Sequence, residues 1–211
     1  MTEVVDGRKT RKLVLQAAFG ALVGAAATYL FFELGEGAVD LDDPVRVAAA
    51  ASGIVYALIG LFVAVGALVP GAGAKFLNVE DADELIEERA KIGPGALGCL
   101  LMGTLLIVLA LMPGGLSRDV AAGVTAVCFA GLAALHFWTR GRVDEFNQSL
   151  SKEASALAMH MSLVFLSSWA ALAHLGYLEW IAPLGLLTAF AVLELGAIFW
   201  VVGKRGLLVP R

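Results

Sequence analysis

The residues best able to do chemistry in this chain are few, and they sit among apolar neighbours. Glu194 lies in Val192-Leu193-Glu194-Leu195-Gly196, where both flanks are uncharged. An acidic residue at the centre of a membrane helix costs about 2.5–3.5 kcal/mol on insertion scales, so its presence calls for a partner or a task. His160, Ser162 and Ser167 stand on a neighbouring apolar stretch and are the candidate hydrogen-bond partners of this carboxyl. Together the four residues define a candidate intramembrane polar site. It has two readings: a proton- or cation-responsive group in an internal cavity, or one buried polar bond that fixes helix register. The register bond is the favoured account.

The three histidines allow a second chemistry. His160 and His174 are fourteen residues apart, which at 100° per residue brings them within about 40° of one direction. That spacing resembles the helices of membrane b-type cytochromes, whose stacked haems are held by paired histidines. Here only His136 remains to complete a pair, so His136 and His160 are the candidate ligands of a single haem b. The expectation preferred over haem is no cofactor and no metal, with His136 beside Trp138 near an interface and His160 hydrogen-bonded. Cys99 and Cys128 fall in apolar stretches and read as small buried thiols, not as a disulfide framework. No GxSxG, HExxH, CxxC or phosphate loop occurs in the sequence, so no catalytic residue is named.

The elements that carry these residues follow from composition. Of 211 residues, 59% are hydrophobic and 16% charged, and the mean hydropathy is +0.83. Soluble domains carry about 25% charged residues. An ordinary soluble enzyme and a disordered chain are both excluded. Six apolar stretches of about 18 residues or more predict spans at Leu13–Leu34, Val47–Val69, Gly95–Met112, Val120–Trp138, Ser155–Leu175 and Trp180–Val202. The predicted fold class is therefore all-α, a polytopic membrane protein of six transmembrane helices in one domain. The basic run Arg8-Lys9-Thr10-Arg11-Lys12 precedes a first span too long for a signal peptide, which reads as uncleaved.

Thirteen Lys and Arg fall on one side of such a topology and two, Arg46 and Arg118, on the other. By the positive-inside rule both termini are expected in the cytoplasm. Short outer turns and longer inner loops divide it into three hairpins, residues 13–69, 79–138 and 143–203. The second and third hairpins each begin with a charged amphipathic stretch, Val79–Ala90 and Val143–Ala154. Gly93-Pro94-Gly95 is expected to break the helix between the first of these and its span. Small residues repeat every four positions on three spans: Gly20, Gly24 and Thr28; Ala49, Gly53 and Ala57; Ala122, Ala126, Ala130 and Ala134. Such faces let membrane helices approach closely, and internal packing is the expected use of all three.

The third hairpin resembles a group of small bacterial inner-membrane proteins without an assigned activity. Asp144-Glu145-Phe146, Lys152-Glu153-Ala154 and the run from Phe199 to Arg205 carry that resemblance. Asp83-Glu84-Leu85-Ile86-Glu87-Glu88-Arg89-Ala90 is similar to the acidic helix of related families. The resemblance implies a membrane-bound partner of a small helix-turn-helix regulator. Asymmetric loops and the lack of a reaction motif point the same way. The leading expectation is a non-enzymatic membrane protein, a regulatory anchor or accessory subunit, that docks a partner through Glu84, Glu87, Glu88, Phe146 and Leu150. A small channel or transporter built around His160 and Glu194 is the alternative, and a haem-b electron carrier the second. The expected partners are the lipid bilayer, a cytoplasmic regulator or the subunits of a membrane complex, and a second copy in a homo-oligomer. Direct nucleic-acid binding is not expected.

Overall fold

The computed structural model describes residues 7–34, 39–69, 82–112, 114–140 and 144–207, with the side chains of 7–17, 19, 34, 82–88, 90 and 91 outside that description. Six α-helices account for nearly all of it: α1 Gly7–Leu34, α2 Pro44–Leu68, α3 Ala82–Ala110, α4 Arg118–Thr139, α5 Glu145–His174 and α6 Pro183–Lys204. Five carry segments long and apolar enough to cross a membrane: Pro44–Leu68, Ile92–Ala110, Arg118–Thr139, Glu145–His174 and Pro183–Lys204. Within α1, the apolar stretch among the described residues is the shorter Gly20–Glu33.

Local chemistry sets the helix ends. Asp43 caps α2 by accepting from the Val45 and Arg46 amides at 2.9 and 3.3 Å, while Pro44 supplies the fixed φ suited to a first turn. Ser117 and Asp144 cap α4 and α5 in the same way. At its far end α5 stops at Gly176, whose φ of 79° is readily reached without a Cβ. There the Tyr177 amide reaches back to the Leu172 carbonyl, so a carbonyl left open by the helix end is satisfied.

The helices pack as an inner trio with three outriders. Among the described residues α2 packs most extensively on α3, and α6 packs on α2 and, over a shorter stretch, on α3. Each inner helix carries one outer neighbour: α1 on α2, α4 on α3 and α5 on α6. Every expected hairpin thus gives one helix to the centre and one to the periphery. Two apolar clusters fasten the trio. Ala49, Ala50 and Ala110 are fully buried under Phe31, Phe32 and Leu184, at the end of the bundle where α1 and α3 finish and α2 and α6 begin. Tyr56, Leu106 and Ala191 form the middle layer with Cys99, Met102, Leu187 and Leu195.

In lipid there is little hydrophobic gain from joining two apolar helices, so close approach must supply the attraction. The α2–α3 seam does this with glycine on both sides. A Cβ at Gly103 would stand 2.7 Å from the Ala57 nitrogen and the Gly53 carbonyl oxygen. At Gly60 it would stand 2.8 Å from the Ala96 carbonyl oxygen. The small-residue face Ala49-Gly53-Ala57 is therefore the one used internally. That expectation fails on α4, where Ala122, Ala126, Ala130 and Ala134 do not form its packed face: all four are exposed and Cys128, not the ridge, is buried. It gains no support on α1, where Gly20 and Gly24 have nothing within 4 Å. The reason is geometric: α4 presents Ala121 and Cys128 to α3, and this direction is turned away from most of its alanine ridge.

Two further expectations are corrected, on the break at Pro94 and on the start of α6. Pro94 does not interrupt its helix; α3 runs through it from Ala82 to Ala110. The lost bond is the one to the Ala90 carbonyl, next to exposed Arg89 and before the apolar segment begins at Ile92, where water can replace it. The charged stretch of the third hairpin is likewise continuous with its span, as the first turns of α5. Finally, α6 begins at Pro183 instead of Trp180, so the turn after α5 is longer than expected. The Trp169 indole donates to the Glu179 carbonyl at 3.0 Å and ties that turn to α5.

Candidate functional site

Glu194 is the twelfth residue of the 22-residue α6, and Tyr56 the thirteenth of the 25-residue α2. Both therefore sit at the middle of their helices. The Tyr56 hydroxyl is buried and donates to the Ala191 carbonyl at 2.7 Å, joining α2 to α6 one turn from Glu194. Cys99, half-buried on α3, belongs to the same layer. The Glu194 carboxyl lies within electrostatic reach of both the Tyr56 phenol and the Cys99 thiol. One polar group from each inner helix thus stands near mid-depth, and two of the three do not stand out in the sequence. Counting from the helix ends is the signal that places Tyr56 level with Glu194. Cys99 carries no such signal, since a thiol in an apolar stretch reads simply as core.

The Glu194 residue itself is exposed, as are Phe190 and Ile198, the residues one turn before and after it. Of the other three residues grouped with it from the sequence, one is buried and two are exposed. Ser162 is buried, at 4% exposure, on the helix whose packing neighbour is α6. His160 and Ser167 are exposed on the other side of α5. The His160 ring donates from Nδ1 to the Ala156 carbonyl of its own helix at 2.8 Å, which leaves Nε2 as the outward edge.

His136 lies in the last turn of α4, with its ring edge-on to Phe137 at 5.6 Å. Because α4 rests on α3 and α5 on α6, His136 and His160 belong to helices with no mutual contact among the described residues. No group of three His, Cys, Asp or Glu side chains gathers among the described residues in a form able to hold a metal ion. Of the docking candidates, Phe146 is 52% exposed and Leu150 half-buried in the first turns of α5. The side chains of Glu84, Glu87 and Glu88 lie outside the described residues; their backbone is helical within α3.

At the end of the third hairpin opposite the Gly176 turn, Arg205 donates to Glu153 at 2.5 Å. Glu153 stands in the charged entry turns of α5, ahead of the uncharged stretch that begins at Ala154. The hydrogen bond, reinforced by the charges of Arg205 and Lys204, holds the Glu153 carboxyl below the usual glutamate range. The pair closes these ends of α5 and α6 on each other.

Comparison with protein-family models, curated proteins and solved structures returned no match. The functional reading therefore stands on the chain's own residues.

Proposed function

We propose that this chain is a non-enzymatic integral membrane protein, an accessory subunit or regulatory anchor whose lateral faces are completed by another protein. The observation that carries this reading is the direction of its costly polar groups. Glu194, His160 and Ser167 all lie on open sides of the bundle. Hydrocarbon offers such groups no hydrogen bond, whereas a neighbouring helix does. In this reading α1 is a sixth span and both termini are cytoplasmic, on the strength of the basic-residue asymmetry, and the membrane is a bacterial inner membrane, as the resemblance of the third hairpin implies. The exposed Phe146 ring, ahead of the apolar part of α5, adds a contact for a partner on the cytoplasmic side. Purification from the native host in mild detergent tests the proposal. A complex of fixed stoichiometry supports it, and a monodisperse monomer across detergents overturns it.

A second reading draws on one specific observation, a mid-helix carboxyl, Glu194, within electrostatic reach of Tyr56 and Cys99 on the other two inner helices. A small proton or cation pathway would use such a group. Flux into proteoliposomes that Glu194→Gln abolishes would place this reading first; absence of flux under a proton or sodium gradient would remove it.

A further inference from the structure

Glu194 is the polar group whose surroundings constrain its missing partner most closely. It sits at the middle of α6, exposed, with Tyr56 and Cys99 within electrostatic reach. Tyr56 has already committed its hydroxyl proton to Ala191. A thiol is a weak donor. Among the described residues the chain offers no Lys or Arg at this depth, and His160 on α5 commits its Nδ1 to the Ala156 carbonyl of its own helix. Its basic residues stand at helix ends or beyond the spans: Arg46 and Arg118 open α2 and α4, Arg89 and Lys91 precede the apolar part of α3, Lys152 precedes that of α5, and Lys204 closes α6. A second copy meeting this face with its own α6 face, across a two-fold axis along the membrane normal, would bring only another carboxyl to the same level.

We propose that the face of α6 around Glu194 receives a transmembrane helix of a different protein that carries a Lys or Arg at its own midpoint. The inference rests on the accessory-subunit reading above and names the chemistry of the partner. Opposite charges in a low-dielectric layer attract strongly and lack competing water, which gives one lateral orientation to an otherwise greasy contact. Exposed Phe190 and Ile198, a turn to either side, supply the apolar flanks of that contact.

The test uses the full-length protein in phosphatidylcholine vesicles and two synthetic leucine-alanine helices of about 20 residues. One helix has a central lysine and the other a central leucine. Energy transfer from a dye on the protein's C-terminal tag reports association. The lysine helix should bind about tenfold more tightly than the leucine helix. Glu194→Gln should abolish that preference, Glu194→Asp should retain part of it, and Glu153→Gln should leave it intact. Equal binding of the two helices, or a preference that survives Glu194→Gln, overturns the inference. So does self-association of the protein that Glu194→Gln removes, since two carboxyls sharing a proton would then be the use of this group. If the lysine preference is absent while the native complex has fixed stoichiometry, this inference fails and the accessory-subunit reading stands. A lysine preference in a chain that is monomeric in its host has the opposite meaning.

Discussion

Replacing Gly103 by alanine tests whether the α2–α3 seam holds the bundle together. The added Cβ would lie 2.7 Å from the Ala57 nitrogen and the Gly53 oxygen, and 3.1 Å from the Ala57 Cα. Comfortable separations between heavy atoms are about 3.5–4.0 Å, so the two helices must part by roughly 0.8 Å locally. All three obstacles are backbone atoms, which cannot swing aside as a side chain can. Overpacking of this kind costs about 1–3 kcal/mol. Against this, alanine gains up to about 1 kcal/mol over glycine in helix propensity. The net expectation is a loss of about 1–2 kcal/mol. Gly98 is the internal control, on the same helix, where an added Cβ would meet nothing within 4 Å. There alanine should be neutral or stabilising. Reversible unfolding in mixed micelles, followed by circular dichroism against the mole fraction of denaturing detergent, measures both. If Gly103→Ala is as stable as Gly98→Ala, the seam is not closed by glycine contact and the packing argument is wrong.

Tyr56→Phe should cost about 0.6–1 kcal/mol in the same assay, the usual worth of an interhelical bond in a membrane protein, because Ala191 keeps its helical partner. No loss would show that Tyr56 contributes only volume. The Glu153–Arg205 pair gives a pH dependence of definite sign. Since folding lowers the Glu153 pKa, its contribution is present above the unfolded value and is lost as pH falls through the folded one. The paired ends of α5 and α6 should therefore loosen in that acid range, in spin-label distances, and Glu153→Gln should remove the effect; a distance flat with pH in the wild type would contradict it. Pro94→Ala restores an amide inside α3 and should slow hydrogen exchange across residues 90–94. Charge reversal of Glu84, Glu87 and Glu88 together, or Phe146→Ser, should weaken capture of a stoichiometric partner while leaving membrane insertion unchanged. Retention of that partner by both variants would exclude this face as its docking surface.

Much of the architecture follows from composition alone. Runs of uncharged residues long enough to cross a bilayer leave few choices other than helices, because backbone groups in lipid must bond within their own segment. Their starts are less legible, since α5 begins ahead of its apolar run at Glu145 and α6 begins at Pro183. The lone carboxylate in the last span is as legible as the spans, since any charge there stands out. What the sequence could not decide was direction around each helix axis. Alanine and glycine repeat at four-residue spacing on several spans, yet only the ridge of α2 meets a second glycine-bearing helix; the ridge of α4 points largely outward. The same freedom explains why Tyr56 and Cys99, from distant segments, come within electrostatic reach of Glu194 without any sign of it in the sequence. An apolar helix has no amphipathic stripe to set its rotation, so that rotation is chosen by the fit of whole helices, and only the assembled structure contains it.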